Sequence, residues 1–324
     1  MILLLGASGF VGSAFAAELK RRRLPFQGLS RAILDYTHFD TLFDHVRKSR
    51  PEFLINAAGF TGGPNPARCE IARAEAVQAN TLLPQTISRV CYLVQTPWTH
   101  ISSGGIFSGA KISENGNAHI IRDASDSELC RRLTKNPASL TGFTEIDQPN
   151  CTFHSQPCSF YSGTKALAEE ALQKSEHMYL LRPSVLIDET EHPRNLLSRI
   201  HGWQPAHDVA LSVSHRQDFV RACLDLWQAK AAFGTYHVVN PGMLTLQTII
   251  AARNRVLGAN AVAFDSANHD ASNAFEQRLE SHSVLDSSKL EGAGIRLRSA
   301  AEALETSLLN WQPAGENRAE KVSS

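Results

Sequence analysis

Three absences narrow the field before any motif is read. Net charge is absent: 32 Lys+Arg face 32 Asp+Glu in 324 residues, so the chain carries no electrostatic footprint for nucleic acid or an anionic membrane. The one basic run, Arg21-Arg22-Arg23, reads as a solvated helix end. Long apolar runs are absent too, and nothing approaches the ~18 residues of a membrane span. Met1-Ile2-Leu3-Leu4-Leu5 begins like a leader but lacks a charged start and runs into Gly6-Ala7-Ser8-Gly9, so it reads as a strand. Lastly, the six cysteines (69, 91, 130, 151, 158 and 223) form no Cys-x-x-Cys pair and no metal-ligand spacing with histidine. The expectation is free thiols in a reducing cytoplasm, with no metal.

Hydrophobic content of 43% against 20% charged describes an ordinary globular protein. In the first half short apolar runs alternate with helical stretches, the pattern of βαβ units in a parallel sheet. Strands are expected at Ile2–Leu5, Pro25–Leu29, Phe53–Asn56, Trp98–Ser102 and Met178–Leu181. They are apolar on both faces, as strands covered by helices on each side must be. Helices are expected at Val11–Arg22, Phe39–Ser49, Arg68–Val94 with a break near Pro84, and Tyr161–Lys174. Beyond Pro183 the pattern is less regular, with helices near Arg194–Gly202, Gln217–Lys230, Gln247–Leu257 and Ala300–Leu309, and small strands at Val209–Val213, Tyr236–Val239 and Ala261–Phe264. This divides the chain into 1–183, 184–311 and a polar tail, 312–324. Residues 111–141 form a polar excursion with one amphipathic piece at Ser127–Leu133; a lid, an oligomer contact and surface decoration all stay open.

Gly6-Ala7-Ser8-Gly9-Phe10-Val11-Gly12 directly follows the first strand and opens the first helix. Glycines there allow a tight turn, close approach of a pyrophosphate to the backbone, and helix–sheet packing, while the helix start offers free N–H groups. That places a dinucleotide on Gly6, Ser8, Gly9, Phe10, Val11 and Gly12. The end of the second strand reads Gly28-Leu29-Ser30-Arg31, with no acid before Asp35. An acid would bind a ribose 2′-hydroxyl, whereas arginine accommodates a 2′-phosphate. Ser30, Arg31 and Asp35 are the candidates at that point, and NADP(H) is favoured with NAD(H) as the alternative. Arg31 as a plain surface residue is the competing reading.

Tyr161-Ser-Gly-Thr-Lys165 sets a phenol and an ammonium one turn apart on a helix face. A phenol near pKa ~10 works poorly at neutral pH until a nearby cation lowers it. With Asn56-Ala57-Ala58-Gly59, Asn80, Ser102-Ser103 and Leu181-Arg182-Pro183, these landmarks resemble, in order and over nearly the whole chain, the extended short-chain dehydrogenase/reductase superfamily. The resemblance implies a Rossmann-type, doubly wound parallel sheet with a smaller C-terminal α/β substrate domain. It also implies cofactor contacts from Ala57, Ala58, Gly59, Asn80, Pro183, Tyr161 and Lys165, and a Ser103/Tyr161/Lys165 catalytic set. Ser103 is preferred to Ser102 because the family places its hydroxyl four residues before the aromatic matched by Phe107.

Within the superfamily the wording is most similar to the dehydrorhamnose reductases and the plant epimerase/reductases: Asn56-Ala-Ala-Gly-Phe-Thr61-Gly-Gly-Pro64-Asn65, Gly142-Phe-Thr-Glu, Ser159-Phe-Tyr-Ser, His192-Pro193-Arg194-Asn195 and Val239-Asn240-Pro241-Gly242. This likeness implies an NADPH-dependent reduction of a nucleotide-sugar 4-ketone, substrate contacts from Thr61, Ser103, Gly104, Arg194 and Asn195, and a homodimer as relatives form. A capped helix start is the competing reading of Arg194 and Asn195. The chain departs from relatives that dehydrate, which carry Asp-Glu after the hydroxyl, because Gly104-Gly105 stands there. It departs from those that epimerise as well: their cysteine falls at Gly105, and the plant lysine falls at Arg199, which stays protonated. Reduction is what remains. The other readings are a 4-epimerase with retained NAD and a cofactor-binding regulatory protein.

Overall fold

A computed structural model of the chain describes residues 1–63, 68–114, 117–121, 140–155, 158–200, 207–258 and 282–314. Its centre is a six-stranded parallel sheet: β1 (Ile2–Leu5), β2 (Phe26–Leu29), β3 (Phe53–Asn56), β4 (Trp98–Ile101), β5 (Met178–Arg182) and β6 (Gly234–His237), in the order β6-β5-β4-β3-β1-β2. Strands β1, β3 and β5 are buried on both faces, as their continuous apolar runs require. Helix α1 (Phe10–Arg21) and α5 (Arg216–Gln228) cover one face, packed on Ile2, Leu4, Phe53, Ile55, Tyr179 and Leu181. The opposite residues, Leu3, Leu5, Leu54, Met178 and Leu180, meet α2 (Phe39–Ser49), α3 (Leu83–Val94) and the end of α4 (Phe160–Leu172). The sheet is Rossmann-type and doubly wound. Its connections reverse between β1 and β3, and ligands of such sheets lie at the strand ends beside that reversal.

Three features differ from the expectations. The sixth strand and α5 come from beyond residue 183, so the parts 1–183 and 184–311 interleave: β6 needs β5 as its parallel partner. The arginine run is not merely solvated. Arg22 bonds Glu18 (2.8 Å) and Asp225 (2.6 Å), tying α1 to α5; hydrogen bonding from Arg21 and Arg22 holds the Glu18 carboxyl down at about 2. And the excursion begins as structure: Ala110–Glu114 pairs antiparallel with Asn117–Ile121 and with Leu140–Thr141, with Ala110 and Ile112 inward. The expected amphipathic piece Ser127–Leu133 and the strand Ala261–Phe264 lie outside the described residues.

A second core, built from Leu196, Leu197, Leu211, Val213, Leu246, Ile249, Leu304 and Leu308, packs α6 (Leu246–Leu257) and α7 (Ala300–Leu309) under the segment after Pro183. Short strands Val185–Ile187 and Val213–His215 pair there in parallel. Among the described residues no helix is long and apolar enough to cross a membrane.

Candidate active site

A cavity of about 600 Å³ opens at the carboxyl ends of the strands, between the glycine turn, the start of α4 and the segment after Pro183. Its first wall is the turn. Gly6 has φ +75°, and a Cβ there would lie 2.6 Å from Ala58 N; a Cβ on Gly12 would collide with the Gly6 carbonyl. Only glycine lets helix, turn and the Ala57-Ala58 segment approach this closely. Gly9 caps α1 with no side-chain hydrogen bond, so the first N–H groups of the helix have no capping side chain, and Gly9, Phe10 and Val11 line the cavity. A pyrophosphate fits such a cradle.

The second wall carries the catalytic candidates. Ser103, Tyr161 and Lys165 all line the cavity. Lys165 is 4% exposed and donates to Ile101 O at 2.8 Å; burial, partly offset by Glu169, brings its pKa down to about 8. The two serines are told apart by their partners. Ser102 donates to the Glu169 carboxylate, itself held by Arg182 at 2.5–3.2 Å, so its proton is committed. Ser103 Oγ accepts from Gly105 N at 3.0 Å and caps the turn Gly104–Ile106, which leaves its O–H for a carbonyl oxygen. Ser103 is therefore the better hydroxyl.

The approach of α4 depends on how the long helical stretch is interrupted. It breaks near Pro84, as expected: a π-helical turn at Gln78–Leu82 ends just before α3, and Pro84 sits in the first turn of α3. Proline cannot donate, and the wider turn absorbs the missing bond. The π turn aims Asn80 inward, where its amide bonds Phe60 N and O (2.8 Å each) and Thr164 Oγ1 (3.1 Å). Asn80 thus stands behind Gly59 and clamps it to α4. Three of its amide's four hydrogen-bonding positions go to Phe60 and Thr164, and Asn80 does not line the cavity.

Other candidates divide similarly. Ala57, Ala58, Gly59, Thr61, Pro183 and Arg194 line the cavity, while Gly104 does not: a Cβ there would meet Leu285 at 2.7 Å and Pro183 O at 3.1 Å. Gly104 packs against Leu285 and Pro183. Asn195 is fully buried, caps Leu196–Arg199 through Leu197 N, and donates to Asp188 O and Thr190 O at 2.8 Å. It is the capped helix start, and the substrate-contact expectation is corrected. Ser8, Ser30, Arg31 and Asp35 lie off the cavity. Arg31 is exposed, and the Asp35 carboxylate is taken by Thr37 Oγ1 (2.5 Å) and N (3.2 Å), bonds that hold its pKa down.

Sequence reading missed a bracket that joins the two ends of the cavity. The Phe10 ring stacks on His192 at 4.2 Å on one side, and Arg216 sits 4.4 Å from its centroid. Arg216 also pairs with buried Asp188 at 2.5 Å and donates to Phe10 O at 3.1 Å. Burial, with Arg194 and Arg216 nearby, brings His192 down to about 4, so its Nδ1 accepts from Arg194 N at 3.0 Å. Asp188, Glu189 and His215 bring three donor atoms close together, but Arg216 and Arg298 already compensate their charge. Cys151, Cys158, Glu70 and Arg199 also line the cavity; of these only Arg199 was marked in the sequence, at the position of the plant relatives' lysine.

Residues 1–126 match the family described as the RmlD substrate binding domain. Over 249 residues the chain is 24% identical to a bifunctional dTDP-4-dehydrorhamnose 3,5-epimerase/dTDP-4-dehydrorhamnose reductase of Arabidopsis thaliana, covering 76% of this chain and 72% of that one. A trifunctional dehydratase/epimerase/reductase of the same plant is 24% identical over the same length, and there the chain spans only 33% of its relative. Among solved structures, the UDP-rhamnose synthase of Acanthamoeba polyphaga mimivirus superposes with a TM-score of 0.72 at 18% identity, covering 95% of this chain and 98% of that one. A dTDP-4-dehydrorhamnose reductase of Bacillus anthracis in complex with NADP gives 0.67 at 18%, with the same coverage. The shared fold accounts for the reversal beside which the cavity sits.

Proposed function

We propose that this protein is an oxidoreductase that uses NADPH to reduce the 4-keto group of a nucleoside-diphosphate-6-deoxy sugar. The observation that carries this is one cavity walled on one side by the glycine turn and on the other by Ser103, Tyr161 and Lys165. Relatives named for a UDP-4-keto-L-rhamnose-reductase and a dTDP-4-dehydrorhamnose reductase activity support it. When bound, the nicotinamide supplies the hydride. The protein's share is to orient the ketone, hold water away and deliver a proton. Ser103 O–H holds the carbonyl oxygen, Tyr161 donates the proton to it, and the Lys165 ammonium favours the phenolate left behind. NADP(H) is preferred over NAD(H) because Arg31 is exposed past the end of β2 while Asp35, the nearest acid, is turned onto Thr37. Arg194, which lines the cavity as Arg199 does, suits the diphosphate of the sugar nucleotide.

Epimerisation at C3 and C5 needs a base that cycles near neutrality. Gly105 offers none, and Arg199 stays protonated. The test is incubation with NADPH and a dTDP- or UDP-linked 4-keto-6-deoxy sugar, following NADPH loss and the product. One C4 alcohol per NADPH is expected. No NADPH loss, with interconversion of nucleotide hexoses by enzyme-retained NAD⁺, would replace the reductase with a 4-epimerase.

A further inference from the structure

The reduction leaves two cavity-lining thiols without a task. Cys151 and Cys158 both face the cavity, and their side chains hydrogen-bond to each other. Each is fixed to a different support of the catalytic set. Asn150 N and Cys151 N donate to Ile106 O at 3.2 and 2.9 Å, at the end of the Ser103-capped turn. Cys158 stands just before Ser159, the cap of α4, and its Sγ donates to Ser159 O at 3.2 Å. The chain after Cys151 turns back through Ser155 N to Thr152 O (3.1 Å) and lays Phe153 on α4 at Gly163, where any Cβ would collide with the ring. The sulfurs therefore meet at the joint between the serine turn and the tyrosine helix.

We propose that Cys151 and Cys158 form a dithiol modification site, closed to a disulfide by a peroxide or a small disulfide, and that closure slows the reaction in the adjoining cavity. With peroxide, the more exposed Cys158 sulfur attacks one oxygen; the O–O bond breaks, a sulfenic acid forms and one water leaves. The Cys151 sulfur then attacks the sulfenic sulfur, an S–S bond forms and a second water leaves. Two thiols have lost two electrons and two protons, and the peroxide has become two waters. With a small disulfide the first step gives a mixed disulfide, and two small thiols are released. Hydrogen bonding to Cys151, burial and the neighbouring Glu70 carboxylate hold Cys158 as the thiol, so the thiolate that attacks is scarce and closure is slow. Bonding draws the sulfurs from contact to about 2 Å, which pulls the cap of α4 toward the serine turn. Displacements near 1 Å cost on the order of a hundredfold in well-positioned sites.

Among the described residues the competing thiols differ in access. Cys69, Cys91 and Cys223 are no more than 2% exposed, whereas Cys158 is half-buried at the rim. The experiment treats the full chain, reduced and desalted, with hydrogen peroxide, then blocks remaining thiols and maps peptides. The tryptic peptide ending at Lys165 carries both cysteines and is expected two hydrogens lighter, protected from alkylation and restored by dithiothreitol. NADPH-dependent turnover should fall by about tenfold or more in step with that peptide and return on reduction. Cys151→Ser and Cys158→Ser, each compared with its own untreated rate, should resist the treatment. An unchanged peptide, a disulfide that leaves turnover intact, or serine variants that lose as much rate as the parent would each overturn the proposal. The mass readout needs no substrate, so its failure is distinct from failure of the reductase reading.

Discussion

The glycine turn and the segment after Pro183 face each other across one cavity, and they are built on opposite principles. At the turn the wall is backbone. Gly6 and Gly12 are required because any side chain would fill space that Ala57, Ala58 and the Gly6 carbonyl already occupy, Gly9 leaves only a tight 3.3 Å to that carbonyl, and the helix start supplies donors without side chains. After Pro183 the wall is a network of side chains: Asn195 caps, His192 and Arg216 flank Phe10, and Asp188 anchors Arg216. Backbone sterics leave a short, local mark in sequence. In a network whose members come from residues 10, 188, 192, 195 and 216 only the Asn195 cap is local enough to read, because every other role depends on partners far along the chain. The two walls should therefore fail differently when altered.

The sharpest break is Gly12→Ala. Its methyl meets the Gly6 carbonyl, a backbone atom that cannot step aside; a loss of about 3 kcal/mol in unfolding free energy is expected, with dinucleotide binding lost, both readable by urea titration and NADPH fluorescence. A stable variant that binds normally would show that the turn is looser than described. On the opposite wall, Asn195→Ala should cost about 1–3 kcal/mol through its unsatisfied carbonyl partners and lost cap while KM for the sugar nucleotide holds. Arg194→Ala should do the reverse, raising KM about tenfold with stability unchanged. If Asn195→Ala raised KM as much as Arg194→Ala does, the division between cap and contact would fail.

A smaller effect is expected at the open end of the turn. Arg31→Ala should weaken NADPH by about tenfold and leave NADH nearly unchanged, since only NADPH bears a 2′-phosphate; equal losses in a binding titration would remove Arg31 from that role. The smallest is a pH signature. Burial brings Lys165 to about 8 from 10.5, so kcat/KM should fall as pH rises through about 8, where the amine loses the charge that favours phenolate. Stability has the opposite sign. Between those values the unfolded chain binds the extra proton, so this group's contribution to stability rises with pH. Rate and unfolding midpoint measured together should diverge, and parallel decline would mean that loss of structure, not Lys165, sets the profile.

Much of the central sheet was legible in residues. Ile2–Leu5 and Phe53–Asn56 fall where their apolar runs lie, because strands buried on both faces must be apolar throughout. Tyr161 and Lys165 lie one turn apart on α4, as their spacing implied, and line one cavity with Ser103, which the family resemblance had named. Asn80, which the resemblance had set at the cofactor, stands behind Gly59 in a π turn that a regular helical count does not foresee. Residues 110–121 read as polar loop although Ala110 and Ile112 alternate inward; two inward positions are too few to stand out among polar neighbours. The Cys151–Cys158 contact was invisible because the loop that joins them is set by Phe153 resting on Gly163, a contact between positions with no pattern of their own.

The central claim is that Tyr161, Lys165 and Ser103 serve a hydride transfer to C4, and deuterium tests it. The enzyme and its Tyr161→Phe variant would be given NADPH carrying deuterium at the transferable C4 position, with a nucleotide-linked 4-keto-6-deoxy sugar, and the product read by mass spectrometry and NMR. One deuterium at sugar C4 is expected from the native enzyme, with the rate lowered about a hundredfold or more in a Tyr161→Phe variant that still binds NADPH. Product without deuterium at C4, or a folded Tyr161→Phe that transfers it at the native rate, would contradict the account.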